Sequence, residues 1–296
     1  MNKKNNTDNR QNSTNINWYP GHMAKTKRLI KENLNLIDVI YEVIDARIPN
    51  SSKIRDIEDV ISSKPRVLIM TKYDLCDKKE TNKFISYYED KGYYVLSYDL
   101  TSNDSLDDVY NLSTLILREK LLKKKEKGIN FERIRALVIG IPNAGKSTLI
   151  NKLVGRKITV TGNKPGVTKQ LNWVRVKDNL ELLDSPGILW PKLNQNLEAY
   201  NLAATTAIKE EILEKEDIAV HIIKMLYKYY PEKLEKHYDV FDIEDFEEVF
   251  DIIGKKYGAI KKGNITNYDR VVDIIINDIK SGRIKDITFD RIEDIN

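Results

Sequence analysis

The apolar and polar positions divide the chain into three textures. Residues 1–16 form an Asn-rich polar run, which cannot bury enough apolar area to offset the entropy of ordering. A disordered tail is the expectation there. Between residues 17 and 193, short apolar runs alternate with amphipathic stretches. The runs 39–44, 66–70, 93–97, 134–139, 171–176 and 180–183 read as strands, and 24–36, 51–63, 78–91, 105–127 and 147–153 as helices. From residue 194 to 296 the apolar spacing turns helical, over 197–214, 217–229, 243–256 and 268–281. Pro231 and the 254–263 stretch mark breaks. The pattern predicts an α/β domain over 17–193, followed by a smaller all-α domain over 194–296.

Composition narrows the class. The chain has 296 residues, enough for two domains with cores of their own. No apolar run is long enough to span a membrane, and the start of the chain shows no apolar signal segment. Cys76 is the single cysteine, so no internal disulfide forms and a reducing cytoplasm fits. Residues 1–196 carry a net charge of about +11 and residues 197–296 about −7, which together give the formal +4. The basic first part suggests contact with a polyanion. On the helix from Ala24, the residues Lys25, Lys27, Arg28 and Lys31 are the candidate phosphate-backbone contacts, although a solvated surface helix reads the same way.

The chemistry centres on Gly140-Ile141-Pro142-Asn143-Ala144-Gly145-Lys146-Ser147, a complete G-x-x-x-x-G-K-[ST] phosphate loop between an apolar strand and a helix. Its backbone N–H groups, among them those of Asn143, Ala144, Gly145, Ser147 and Thr148, are expected to cradle phosphates at a helix N-terminus. Lys146 reaches the β- and γ-phosphates, and Ser147 holds Mg2+. Downstream, Asp184-Ser185-Pro186-Gly187 ends a strand. Asp184 is expected near the Mg2+ water shell, with the Gly187 N–H on the γ-phosphate. Within the polar 159–169 stretch, Thr168 is the candidate to complete the Mg2+ shell and sense the γ-phosphate. Upstream, Thr71-Lys72-Tyr73-Asp74 ends another strand. The Asp74 carboxylate suits the N1–H and N2 amino donors of guanine, which adenine lacks. The Lys72 stem packs over the base and is expected to tie this loop to the phosphate loop. Thr71 stands where Asn is commonest. Asp99-Leu100-Thr101-Ser102 occupies the place of the final base loop by position alone.

Motif order carries further information. An ordinary GTPase reads phosphate loop first and base loops last. Here the base half (71–102) precedes the phosphate half (140–187), which is a circular permutation with residues 103–133 as the connector. The chain then runs from the D-x-P-G segment into the helical domain, so loss of the γ-phosphate is expected to act on that domain's orientation.

With those residues in hand, the chain resembles the YlqF/RbgA family of circularly permuted GTPases. The resemblance runs from Trp18 to the C-terminus. It rests on W-Y-P-G-H-M-A-K at 18–25, D-A-R-I-P at 45–49, G-I-P-N-A-G-K-S-T, D-S-P-G-I-L-W-P-K at 184–192 and I-T-N-Y-D near the end. It implies a Ras-like permuted fold, GTP and GDP as ligands, and action at a late step of large (50S) ribosomal subunit assembly. It also implies hydrolysis stimulated by the pre-ribosomal particle, and a helical domain that helps bind rRNA. Away from the ribosome the expected state is a monomer.

Two catalytic positions need other residues. Ile188 follows Gly187 where many GTPases carry the Gln that orients water. The resemblance points instead to His22 in P-G-H-M as the water-orienting group. Asn143 sits where potassium-dependent GTPases ligate K+, so K+ joins Mg2+ as an expected ion; a loop Asn bonding its own backbone is the alternative. A permuted GTPase serving the small subunit is a second reading. Such relatives often carry an OB-fold or zinc segment, for which this chain has neither strands nor cysteines. A nucleotide-gated RNA-binding scaffold is a third.

Overall fold

A computed structural model describes residues 21–55, 57–128, 133–158, 171–176, 179–188, 196–208 and 213–295. The first unit is a six-stranded sheet made of β1 (Val39–Asp45), β2 (Arg66–Thr71), β3 (Tyr94–Tyr98), β4 (Ile134–Gly140), β5 (Asn172–Val176) and β6 (Leu180–Asp184). Its order is β3-β2-β1-β4-β6-β5. Every neighbouring pair is parallel except β5 with β6. All seven residues of β1 are buried, as expected for a central strand with helices on both faces. Strand order reverses between β1 and β4, so both halves of the motif set open onto one carboxyl edge at a switch point, where α/β folds bind ligands.

The helices of this unit are α1 (Gly21–Asn33), α2 (Glu58–Ile61), α3 (Lys78–Asp90), α4 (Asp107–Ile116), α5 (Arg118–Glu126) and α6 (Lys146–Val154). Thr26 and Ile30 turn into the core, while Lys25, Arg28 and Lys31 are exposed. α3 starts cleanly because the Asp77 side chain accepts from the N–H groups of Lys79 and Glu80. Three helical expectations need correction. The 197–214 helix ends at Ala204, and residues 205–208 are turns and bends. The 51–63 stretch is mostly turns, with Ile54 and Ile57 buried, and only α2 is helical. The long 105–127 helix is two helices that meet at buried Leu117.

The second unit holds α7 (Asn196–Ala204), α8 (Lys215–Tyr229), α9 (Pro231–Tyr238), α10 (Phe246–Tyr257) and α11 (Tyr268–Lys280). Pro231 opens α9 rather than merely breaking the chain. At N1 its missing N–H costs nothing and its fixed φ suits the first turn. The 254–263 stretch holds the end of α10 and the first strand of a small hairpin, β7 (Ile260–Lys261), which pairs with β8 (Ile265–Thr266) just beyond it. One continuous apolar core links the sheet to these helices. The chain then turns back onto the first unit. The Ile287 N–H donates to the Leu75 carbonyl, and the Phe289 N–H to the Arg47 carbonyl, at 3.2 and 2.7 Å. No helix among the described residues is long and apolar enough to cross a membrane.

Candidate active site

Strand ends deliver the motifs to one edge. β4 runs into the phosphate loop, and α6 begins at Lys146, so the loop's N–H groups meet the positive end of a helix. The loop needs its glycine at Gly145, which has a φ of +97° and lies where a Cβ would stand 3.2 Å from the Thr71 Oγ1. Lys146 is buried. Its ammonium donates to the carbonyls of Gly140 and Ile141 at 3.0 and 2.8 Å. Burial lowers its pKa to about 8, against a raising contribution from Asp184.

Asp184 ends β6 and pairs in register with Val138 of β4. Burial raises its carboxyl to about 6, opposed by the Lys146 charge and the Ser185 backbone. Its Oδ1 is buried and has no hydrogen-bond partner among the described residues. A buried carboxylate oxygen with no protein donor, one strand from the phosphate lysine, suits the hard-oxygen shell of Mg2+. Asp184 and Ser147 are the residues that would hold the ion, which would neutralise phosphate charge when bound. Gly187 lies against the phosphate loop so closely that a Cβ there would stand 2.8 Å from Pro142 atoms. The Ile188 N–H donates to the Gly140 carbonyl at 3.0 Å, and its apolar side chain is buried. The two phosphate motifs thus form one packed unit.

The base half meets this unit through Thr71. Its hydroxyl donates to the Ala144 carbonyl at 2.5 Å and lies 3.2 Å from that of Ile44. The tie between the base loop and the phosphate loop therefore comes from Thr71, not from Lys72 as the sequence suggested. The threonine hydroxyl serves as a short donor where Asn is commoner. Lys72 instead sends its ammonium to Asp45, 2.7 Å away. Asp74 is partly buried, and burial raises its carboxyl from its ordinary value. In the third loop, Asp99 accepts from the Thr101 N–H and hydroxyl, at 2.7 and 2.6 Å. Lys152 of α6 donates to the Ser102 carbonyl at 2.7 Å, tying that loop to the phosphate-loop helix.

Asn143 has a φ of +59° and turns its amide nitrogen to the Thr206 carbonyl at 2.7 Å. A carbonyl only accepts, so this contact fixes which end of the carboxamide is the donor. The phosphate loop is thereby linked to the segment just after α7. His22 lies in the first turn of α1, but its side chain lies outside the described residues, as do Thr168 and the whole 159–170 stretch. A cavity of about 820 Å3 lies behind the third loop, between residues such as Tyr110 and Lys152, and none of Asp74, Lys146 or Asp184 lines it.

Sequence reasoning missed Asp45 and Arg47 as supports of the site. The signal was present in the D-A-R-I-P segment at a strand end.

Residues 135–261 match the family described as 50S ribosome-binding GTPase. A Ribosome biogenesis GTPase A of Bacillus licheniformis is 44% identical over 281 residues, which cover 95% of this chain and 99% of that one. A protein of the same name from Priestia megaterium is 42% identical, over 93% of this chain and 96% of that one. Among solved structures, GNP-bound YlqF from T. maritima matches with a TM-score of 0.62 and 27% identity, covering 92% of this chain and all of that one.

Proposed function

Because the chain belongs to the ribosome biogenesis GTPase A family, and is thus a circularly permuted GTP hydrolase of ribosome biogenesis, we propose that it acts on the large subunit. In this reading it binds pre-50S particles through rRNA in the cytoplasm at a late assembly step. It hydrolyses GTP to GDP and phosphate when the particle stimulates it, and away from the particle it is a monomer.

The observation that carries the stimulated reaction is Ile188. It is buried and bound to Gly140 through its backbone, so the position that usually orients water has no polar group to do so. Intrinsic hydrolysis is then slow, and a group brought into place on the particle supplies what is missing. His22, at the start of a helix with exposed Lys25, Arg28 and Lys31, is the residue we assign to that task. It orients the water; no proton removal is invoked.

The phosphate loop, Lys146, Ser147 and Thr148 take the phosphates, and Thr71, Lys72 and Asp74 take the base. Ser147, Asp184 and Thr168 hold Mg2+. The Asn143 carboxamide oxygen ligates K+. Its nitrogen holds Thr206, so events at the γ-phosphate reach the helical unit by a direct contact as well as through the chain that follows Gly187.

The test is GTP hydrolysis in K+ and Na+ buffers, alone and with large subunits, small subunits or large-subunit assembly intermediates. Stimulation by large-subunit particles only, greater in K+ and lost in His22→Ala, is the expected result. Stimulation by the small subunit would move the proposal to that particle. No stimulation by any of them would favour a nucleotide-gated RNA-binding scaffold, the reading that Ile188 supports taken by itself.

A further inference from the structure

Four donors converge on one carboxylate at the end of β1. Asp45 Oδ1 accepts from the Arg47 backbone N–H at 3.0 Å and from Arg47 Nε at 3.1 Å. Asp45 Oδ2 accepts from Arg47 Nη2 at 2.9 Å and from Lys72 Nζ at 2.7 Å. The Asp45 and Arg47 side chains are buried, 2% and 4% exposed, whereas Lys72 reaches in from a position 26% exposed. A buried ion pair of this kind persists only when its hydrogen-bonding capacity is filled, and here Lys72 fills part of it. Despite burial, the Arg47 and Lys72 charges hold the Asp45 carboxyl well below the ordinary carboxylate range.

Lys72 has a φ of +58°, a conformation that costs a residue with a Cβ some strain. The contact to Asp45 provides a physical reason for that turn, because it points the lysine back along the strand edge. The remaining Arg47 nitrogen, Nη1, donates to the Ile279 carbonyl at 3.1 Å. Ile279 lies in the last turn of α11, at the negative end of the helix, and its carbonyl also accepts from the Gly282 N–H at 3.3 Å. Phe289 then closes over the Arg47 carbonyl.

We propose that Asp45 and Arg47 are positioning residues for the guanine base. Asp45 fixes the Lys72 side chain that packs over the ring, and Arg47 anchors Asp45 to the C-terminal end of α11. This rests on the assignment of Lys72 and Asp74 to the base. It follows that seating of α11 and occupancy of the base site are coupled, and such coupling acts equally in both directions.

The test is a double-mutant cycle on binding of N-methylanthraniloyl-GDP, with inorganic tripolyphosphate as a competitor that addresses the phosphate loop alone. Asp45→Asn keeps shape and an acceptor for the Arg47 backbone N–H and Nε, but removes the charge and the second acceptor oxygen that hold Arg47 Nη2 and Lys72. It is expected to weaken the labelled GDP about tenfold, the scale of one lost charge-assisted contact, and to leave tripolyphosphate affinity unchanged. Lys72→Met is expected to do the same, and the double variant to be no worse than either single one. Fully additive losses, or an equal loss for tripolyphosphate, would overturn the proposal. A second check compares one lysine in two proteins. Lys72 should be acylated by acetic anhydride faster in Asp45→Asn than in the wild type, and equal rates would overturn the contact. If the wild type did not prefer GDP to ADP, the base-site assignment itself would fall.

Discussion

Two aspartates close neighbouring parts of the same sheet edge, and their surroundings are opposite. Asp45 ends β1 and Asp184 ends β6, and each is 2% exposed. Asp45 receives a guanidinium, an ammonium and a backbone N–H. Its charge is compensated within the protein. Asp184 has the Lys146 charge nearby but keeps one buried oxygen without a hydrogen-bond partner among the described residues. Burial therefore moves its carboxyl toward the neutral form, whereas that of Asp45 stays ionised. The difference separates a base half that organises itself from a phosphate half whose electrostatics a ligand completes. Such a division suits a nucleotide switch. Recognition of guanine is the same in both nucleotide states, whereas the γ-phosphate is what must be sensed.

The largest expected effect falls on the base half. If Asp74 reads guanine N1–H and the N2 amino group, Asp74→Asn loses the acceptor pair and gains a donor for the xanthine ring. The preference for GTP over xanthosine triphosphate should swing by roughly 10⁴, because a site built for hydrogen bonds penalises the ligand that leaves them unpaired. Competition binding with the two triphosphates measures it. An unchanged preference would remove the base half from the comparison altogether.

How much of this was legible in the sequence depends on the range of the contact involved. Motifs contained in one strand-loop-helix unit, such as Gly140 to Ser147, were readable because the chain itself places their atoms together. Strand starts and ends fell within a residue or two of the apolar runs. What escaped needed distant partners. Arg47 finds the Ile279 carbonyl 232 positions away, and Asp290 accepts from the Ser51 N–H 239 positions back. Thr71 looked like a weakened Asn until the Ala144 carbonyl appeared beside its hydroxyl. Leu117 divided a helix whose periodicity gave no warning, since its burial is decided by the core above it. Pro231 was misweighted because a proline reads alike at a break and at a helix start.

The phosphate half is tested next. Lys146 is held by two carbonyls of its own loop, and the proposed function places developing phosphate charge beside its ammonium. Lys146→Ala should lower kcat by roughly 10²- to 10³-fold, the scale for one lost donor at a developing charge. Single-turnover hydrolysis measures it. The phosphate half should also show a loss for tripolyphosphate binding, which Asp74→Asn leaves intact. Equal losses for both variants with that competitor would erase the division between the halves.

The smallest effect is the most direct comparison of the two aspartates, and it is a dependence of stability on pH without nucleotide or Mg2+. The folded Asp184 carboxyl is raised from 3.8 to about 6. Between those values the folded state holds the proton that the unfolded state has released. Its contribution to stability is therefore complete below about pH 4 and is lost as pH rises through 6. A shift of that size corresponds to roughly 3 kcal/mol. Asp45 has the opposite sign. Its folded carboxyl is depressed, so its contribution is present above the unfolded value and is lost only in stronger acid. Above about pH 5 it should be silent. Other groups also titrate in this range, including Glu198, raised to about 7 by burial, so the informative quantity is a difference between proteins. Urea unfolding of wild type and Asp184→Asn across pH 4 to 7 should show the wild type losing most of that increment relative to the variant, with Lys146 mostly protonated because its value is about 8. Adding Mg2+ and GDP, which favour the carboxylate, should flatten that difference. A difference already flat without them would mean that the buried oxygen of Asp184 has a partner, and that the two strand ends are alike after all.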